Sequence, residues 1–202
     1  MKVSVLFYSM YGHNFAMAKA AAEGAKESGV VVELRRIAET LPEEVLKAMG
    51  AYEAQKAFAD IPVATVADLE GCDGLVMAFP TRFGIMPAQV KTLLDATGQI
   101  WGQGSMVGKP VTLMTSSAMQ HGGQEATILT SLPFFLHHGM VIVGLPMSSG
   151  LLGKTDQIEG GSFYGASVVA GGKGERAPTA NDLACARFQG KHLAELTKKL
   201  RS

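Results

Sequence analysis

The stretch Val3-Ser4-Val5-Leu6-Phe7-Tyr8, followed at once by Ser9-Met10-Tyr11-Gly12-His13-Asn14, decides the fold. The first six residues have the length and the β-branched and aromatic content of a buried strand. The next six predict a turn with hydroxyl groups and a glycine, and the alanine-rich residues 15–28 predict a helix. Because the first amides of a helix lack partners and the helix dipole favours an anion, this turn is suited to hold a phosphate.

Other nucleotide sites have features that this turn lacks. It contains neither the lysine of a P-loop nor the three glycines of a dinucleotide fingerprint. A phosphate held by hydroxyls and amides alone suits a mononucleotide such as FMN. Residues 148–155 resemble a Walker A loop, but serine replaces its first glycine and no helix is predicted to follow. We therefore expect no nucleoside triphosphate there.

Composition predicts a single α/β domain over residues 1–202. The 18 basic and 18 acidic residues balance, which argues against nucleic acid or an anionic membrane as a partner. Charged residues make up 18% of the chain, below the roughly 25% of an ordinary domain. This shortage indicates that part of the surface is buried against other subunits.

The cellular location is predicted from the cysteines and the apolar segments. Cys72 and Cys185 lie far apart without a metal or redox spacing, as expected of free thiols in a reducing compartment. The first apolar run is too short for a signal peptide and is better explained as a strand. No stretch approaches transmembrane length. We expect a cytoplasmic protein without stable membrane insertion.

Strand-like and helix-like segments alternate along the chain, which predicts a parallel sheet wrapped by helices. Strands are predicted at residues 3–8, 30–36, 74–79, 110–115 and 140–144. Helices are predicted over residues 15–28, over 39–58 with an interruption at Gly50, from Pro87, over 122–138 with a kink or break at Pro133, and after a cap at 179–182. The glycine- and serine-rich residues 145–174 form a long excursion in which 167–170 could add a short strand.

Three loops follow predicted strands and should meet at the carboxyl edge of the sheet, where such folds bind ligands. They are residues 9–14, 80–84 and 116–123, and none of them contains Asp or Glu. A receiver domain or a metal hydrolase would need carboxylates at these positions, so neither is expected, and no metal site is predicted. A phosphate and an electron-rich flavin prefer a site without carboxylates.

His137, His138 and Trp101 leave alternatives open. The two histidines are adjacent on a predicted helix and point about 100° apart, so they are poorly placed to share a metal ion. One buried and one exposed ring is the simplest interpretation, although a single ring could point at the ligand cleft. Trp101 is either a packing anchor or a wall of the substrate pocket.

Several motifs in one order resemble a known family. They are Ser9-Met10-Tyr11-Gly12-His13, Pro80-Thr81-Arg82-Phe83-Gly84, Gly122-Gly123-Gln124-Glu125, His137-His138-Gly139-Met140 and Gly160-Gly161-Ser162-Phe163-Tyr164-Gly165-Ala166. Together they resemble the WrbA family of NAD(P)H:quinone oxidoreductases, tetrameric relatives of flavodoxin. The resemblance runs through nearly the whole chain. It implies a flavodoxin-like, doubly wound, five-stranded parallel sheet in a three-layer α/β/α sandwich.

The resemblance also implies one non-covalent FMN per subunit and assigns residues to it. The implied set comprises Ser9, Met10, Tyr11, Gly12, His13 and Asn14 at the phosphate, Thr81, Arg82, Phe83 and Gly84 beside the ring and ribityl chain, Ser116, Ser117, Ala118, Met119, Gln120 and His121 on the other side, and His137 from a neighbouring segment or subunit. Tyr11 would touch the nicotinamide nucleotide and Trp101 would wall the substrate pocket. The chain departs from the family pattern at Asn14, Met119 and His121.

The implied activity is that of an FMN-dependent NAD(P)H dehydrogenase (quinone) that forms hydroquinone by a ping-pong reaction. The flavin carries the chemistry, so no catalytic acid or base is assigned. An electron-carrier flavodoxin without activity of its own is the alternative, but carriers usually need an acidic docking face and this chain has no net charge. A flavin-binding protein without catalysis is a third, weaker possibility. The implied assembly is a homotetramer.

Overall fold

The computed structural model describes residues 1–201, which form a parallel sheet with helices on both faces. The strands are β1 (Lys2–Phe7), β2 (Val31–Arg36), β3 (Gly74–Pro80), β4 (Pro110–Ser117), β5 (Val141–Ile142) and β6 (Ser167–Val169). The strand order is β2-β1-β3-β4-β5, with β6 also paired to β4, and every pairing is parallel. The chain winds outward from β1 in both directions, which confirms the predicted doubly wound fold.

The helices agree with the sequence in the main, with three differences. They are α1 (His13–Lys26), α2 (Glu43–Ala48), α3 (Tyr52–Lys56), α4 (Val66–Glu70), α5 (Ala88–Asp95), α6 (Gly98–Gly102), α7 (Gln124–His137) and α8 (Ala180–Arg201). Gly50, with φ 70°, separates α2 from α3, as predicted. The short α4 and α6 were not predicted. Helix α7 continues through Pro133 without the predicted break.

Alternate residues of the central strands point to opposite faces of the sheet and build two apolar cores. Val5 and Phe7 of β1 pack with α1 and α8, whereas Leu6 faces the side covered by α4 to α7. The strands are buried on both faces, as parallel sheets require. No helix among residues 1–201 is both long enough and apolar enough to cross a bilayer.

Helices α1 and α8 cross in close backbone contact. A Cβ atom at Gly190 would lie 2.1 Å from the carbonyl oxygen of Ala21, and one at Gly24 would lie 1.9 Å from the carbonyl oxygen of Arg187. Neither position has room for a side chain, so glycine sets the distance between the helices. This crossing holds α1 against the sheet and thereby positions its N-terminus at the sheet edge.

The fifth strand of the sheet is divided in two. Strand β5 pairs with Pro110 and Val111 at the start of β4, and β6 pairs with residues 115–117 at its end. The intervening residues 143–166 leave the sheet and return to it. The predicted strand at 140–144 is therefore shorter than expected, and the short strand predicted at 167–170 is confirmed. Because β6 is parallel to β4, the loop after β6 emerges at the same edge as the predicted loops.

Candidate functional site

Four loops enclose a cleft of about 220 Å³ at the carboxyl edge of the sheet. Three are the predicted loops after β1, β3 and β4, and the fourth is residues 170–174 after β6. The lining residues are Ser9, Met10, Tyr11, His13, Asn14, Pro80, Thr81, Arg82, Ser116, Ser117, Ala118, Ala170, Gly171, Gly172, Lys173 and Gly174. The structure thus brings the three predicted loops together.

The first loop delivers the N-terminus of α1 to the cleft. Gly12 precedes the helix with φ 94° and ψ −17°, a left-handed conformation that glycine adopts without strain. Its amide donates a hydrogen bond to Oγ of the buried Ser9 at 3.0 Å. No side chain caps the first turn of α1. The first helical amides and the positive end of the dipole therefore remain available to an anion.

Asn14 joins the first loop to the third and has an unsatisfied atom. Its Nδ2 donates to Oγ of Ser116 at 2.8 Å, and the side chain is almost completely buried, with the residue 1% exposed. Its Oδ1 is buried without a hydrogen-bond partner among the described residues. Such a group is costly unless a ligand or a reorientation satisfies it.

The second loop ends in a tight turn. Arg82 and Ile85 exchange backbone hydrogen bonds of 2.9 and 3.1 Å, and the two residues between them both have positive φ, 54° at Phe83 and 81° at Gly84. Phe83 is the one residue other than glycine with positive φ in the described part of the chain, and its ring is fully exposed. A strained backbone that holds an aromatic ring exposed to solvent is typical of a ligand-binding loop.

Hydroxyl contacts fix the base of this second loop. The Oγ1 atoms of Thr81 and Thr127 lie 2.6 Å apart, which joins the loop to the first turn of α7. The Gly84 amide also donates to Oγ1 of Thr81 at 3.1 Å. The Arg82 guanidinium donates to the Thr81 carbonyl at 2.9 Å and contacts Sδ of Met10 at 3.5 Å, so it reaches across to the first loop.

The fourth loop is held from behind by its own charged residues. The Glu175 carboxylate accepts the Lys173 amide at 2.8 Å, and the Arg176 guanidinium donates to the carbonyls of Val169 at 2.7 Å and Ile158 at 3.0 Å. The Arg176 carbonyl lies 2.9 Å from Nε2 of His13. Since a carbonyl only accepts, His13 carries a hydrogen on Nε2 and ties the fourth loop to the first.

The cleft is positively charged. Arg82 and Lys173 line it, and no Asp or Glu does so among the described residues. Glu39, a nearby carboxylate behind the first loop, accepts hydrogen bonds from Tyr8, Gln55 and Gln89 at 2.9 Å each. Burial raises the pKa of Glu39, but these donors and the Leu41 amide outweigh burial and lower it. Burial and the adjacent Glu39 raise the pKa of the Tyr8 hydroxyl well above its ordinary range.

Several residues of the predicted set do not line this cleft. Gly12, Phe83 and Gly84 belong to its loops without lining it, and Met119 is exposed. Gln120 and His121 line a neighbouring polar cavity with Glu125 and residues 159–162. The loop after β4 thus turns away from the cleft after Ala118.

His137 and Trp101 lie in a different cavity, together with Thr97 and Phe134. Nε1 of Trp101 donates to the His137 carbonyl at 2.9 Å. Helix α7 begins beside Thr81 and reaches His137 thirteen residues after its first residue, a rise of roughly 20 Å. Within one chain, His137 is therefore separated from the cleft by the length of a helix.

His138 is buried and His137 is exposed, as the simplest interpretation of the pair predicted. Nε2 of His138 lies 3.0 Å from Oγ1 of Thr97, and burial, followed by the neighbouring His137, lowers the His138 pKa. Within residues 1–201, no three His, Cys, Asp or Glu side chains gather where they could hold a metal ion.

The fourth loop has no distinctive signature in the sequence. Residues 170–174 read Ala-Gly-Gly-Lys-Gly, a composition that ordinary surface turns share. The available signal was the short strand predicted just before it. A parallel strand at 167–170 would have implied a loop at the same edge as the other three.

Comparison with known proteins identifies relatives along the whole chain. A family model described as NADPH-dependent FMN reductase matches residues 1–149. A protein of Geobacter metallireducens named NAD(P)H dehydrogenase (quinone) is 56% identical over 202 residues, which cover all of both chains. A protein of the same name from Solidesulfovibrio magneticus is 50% identical, again over the full length of both.

Solved structures show the same fold at lower identity. A structure described as a flavodoxin, WrbA-like protein from Agrobacterium tumefaciens has a TM-score of 0.65 and 22% identity, and covers 98% of each chain. A flavodoxin from the domain Archaea has a TM-score of 0.60 and 18% identity, and covers 98% of this chain and 99% of its own. These two likenesses support the flavodoxin-like architecture.

Proposed function

The chain belongs to the family of the NAD(P)H dehydrogenases (quinone), within the NADPH-dependent FMN reductases, and from this premise we propose that it uses FMN to reduce quinones to hydroquinones with NAD(P)H. Family membership confirms the resemblance to the WrbA family that the motifs indicated. We propose the identity of the flavin, its contacts in the cleft and the order in which the two substrates react.

One observation carries the proposal: a cleft without carboxylates lies over the uncapped N-terminus of α1. The residues present fit a phosphate monoester. The first-turn amides and the dipole favour the anion, and Asn14 offers a polar group that lacks a partner. The Ser116 hydroxyl can donate as well as accept, so the Asn14 amide can also rotate and present Nδ2 to a phosphate oxygen.

The protein's task is to hold the ring systems and exclude water. FMN, bound without a covalent link and once per subunit, supplies the two-electron chemistry between NAD(P)H and quinone. Residues 9–14 would hold its phosphate, and the loops at 81–84 and 116–118 would flank the ring. Tyr11, exposed at the rim of the cleft, would contact the nicotinamide nucleotide. No side chain that lines the cleft within one chain is assigned as a catalytic acid or base.

A ping-pong reaction follows if NAD(P)H and quinone use the same space in turn. Phe83 supports this arrangement, because its exposed ring offers one flat surface on which either substrate can stack. Initial rates measured against both substrates should then give parallel double-reciprocal lines.

We further propose a homotetramer in the cytoplasm. Exposed apolar side chains, with only 18% charged residues, favour burial between subunits. These side chains include Ile85, Trp101, Val107 and Leu136. In such an assembly, His137 and Trp101 of one subunit would reach the cleft of a neighbour, since within one chain they lie about a helix length away.

His137 is the candidate for proton delivery to the reduced quinone. Replacing it with alanine should slow quinone turnover more than it weakens flavin binding. Unchanged turnover would remove His137 from the mechanism. The matched control is His192, a histidine on α8 that lines none of these cavities.

A redox cycle tests the proposed function. The purified protein is loaded with FMN, the yellow absorbance is followed as NADH is added without oxygen, and benzoquinone is then supplied. We expect bleaching followed by recovery, with many turnovers at steady state. An electron carrier would show negligible NADH oxidation, and a non-catalytic flavin protein would bind FMN without turnover; either result contradicts the proposal.

A further inference from the structure

We propose that Lys173, on the fourth loop, supplies a cation to the phosphate monoester of the bound flavin; this inference rests on the proposed function. The sequence predicted a phosphate held by hydroxyls and amides alone. The structure adds a lysine to the lining of the same cleft, from a loop about 160 residues further along the chain.

The fourth loop packs directly on the turn that would hold the phosphate. A Cβ atom at Gly174 would lie 3.4 Å from Cγ of Tyr11 and 3.6 Å from Cε1 of His13. The contact between His13 and the Arg176 carbonyl holds the two loops together on the other side of Gly174. Lys173 is therefore next to the first turn of α1.

Among the described residues, the Lys173 ammonium forms no hydrogen bond or ion pair that would fix its position. The residue contributes to its loop through its backbone amide, which donates to Glu175. The backbone amides of Glu175 and Lys173 lower the pKa of the Glu175 carboxyl, and the charges of Lys173 and Arg176 lower it further. The Glu175 carboxylate does not line the cleft.

Charge accounting supports a lysine at this position. A phosphate monoester carries close to two negative charges at neutral pH, whereas the dipole of α1 offers about half a positive charge. The Arg82 guanidinium already donates to Thr81 and contacts Met10. Of the two cations that line the cleft, Lys173 is the one whose charged group has no such contact.

The 2′-phosphate of NADPH has the same chemistry and is the competing source of the anion. We favour the flavin phosphate because the fourth loop packs on the first turn of α1. The two sources separate experimentally, since one affects flavin affinity and the other affects only the preference for NADPH over NADH.

The experiment titrates the apoprotein with FMN and with riboflavin, which lacks the phosphate, and follows flavin fluorescence at about 0.02 M and 0.5 M salt. K173Q should weaken FMN binding by about fivefold at low salt, the scale of an exposed charge facing a dianion. The loss should shrink at high salt and be absent with riboflavin. K173R should restore most of the affinity, and K154Q, which neutralises an exposed lysine outside the cleft, should bind like the wild type.

Three results would overturn the assignment of Lys173. They are equal FMN affinity for K173Q and wild type, an equal loss for FMN and riboflavin, and an effect confined to the KM for NADPH. Thermal melts of the apoproteins exclude misfolding as the cause of any loss. Failure of the wild type to bind FMN would instead contradict the proposed function, so the two failures are distinguishable.

Discussion

Asn14 offers the sharpest test of the phosphate site, because its role in the empty protein and its proposed role with the ligand oppose each other. Asn14→Ala removes the hydrogen bond to Ser116, worth about 0.5–1.5 kcal/mol. It also removes a buried oxygen without a partner, whose burial costs about 1–3 kcal/mol. The two effects nearly cancel, so we expect the free energy of unfolding of the apoprotein to change by about 1 kcal/mol or less.

FMN binding should respond far more strongly. A hydrogen bond to a charged phosphate contributes about 1.5–3 kcal/mol, so Asn14→Ala should raise the Kd for FMN roughly ten- to hundredfold. Asn14→Asp should raise it further. At about 5 Å and an effective dielectric constant of about 20, the new carboxylate repels each phosphate charge by roughly 3 kcal/mol. Riboflavin affinity should change little in both variants.

Fluorescence titrations with both flavins, together with urea unfolding of the apoproteins, measure these effects. Asn181→Ala is the matched control, because Asn181 is also buried and hydrogen-bonded but lies on α8 outside the cleft. It should lower stability and leave FMN affinity unchanged. The reasoning is refuted if Asn14→Ala destabilises the protein strongly while the Kd for FMN stays the same, or if both flavins weaken equally.

Other substitutions test the helix crossing, the strained turn and the half-buried carboxylate of Glu39. Gly190→Ala places a methyl group 2.1 Å from the Ala21 carbonyl oxygen, so urea unfolding should show that the free energy of unfolding falls by about 1–3 kcal/mol. Gly102→Ala, with open space around it, should raise the free energy of unfolding by up to about 1 kcal/mol, and equal effects of the two substitutions would contradict the close crossing. Phe83→Gly relieves a positive φ that costs about 1–2 kcal/mol but adds about 0.4–1 kcal/mol of unfolded-state entropy, so apoprotein stability should hold or rise by up to about 1 kcal/mol while quinone turnover slows. A loss of more than about 1 kcal/mol in urea unfolding would show that the turn is unstrained. The lowered pKa of Glu39 stabilises the fold above the ordinary glutamate pKa of about 4.3, and this stabilisation is lost as pH falls through the lowered folded value. Glu39→Gln should therefore weaken the dependence of unfolding free energy on pH in the acid range, and an unchanged dependence would exclude Glu39 as its source.

The central strands and the site edge were predictable because each has a local signature. Buried parallel strands are continuous apolar runs, and Phe7 and Phe79 end two such runs just before polar loops. Parallel strand ends meet at one edge whatever the detailed packing, so the loops containing Ser9, Thr81 and Ser116 were brought together correctly.

The features that were missed depend on long-range geometry. The division of the fifth strand is visible only through its pairing with the two ends of β4, and this pairing brings Lys173 to the cleft. The placement of His137 depends on the length and direction of α7, which motif spacing does not encode. Helix α4 has a local signal in its Thr65–Asp68 capping box, but its five residues are too few to show an apolar period.

The central claim is that the cleft binds the phosphate of FMN. Phosphorus NMR of the FMN-loaded protein tests it most directly, because the method observes that phosphate. Free FMN has a phosphate pKa of about 6, so its resonance moves between roughly pH 5 and 8. If the α1 N-terminus and the cleft cations hold the dianion, the bound phosphate should give one shifted resonance that stays constant across that range. A resonance at the free position that titrates near pH 6 would contradict the account.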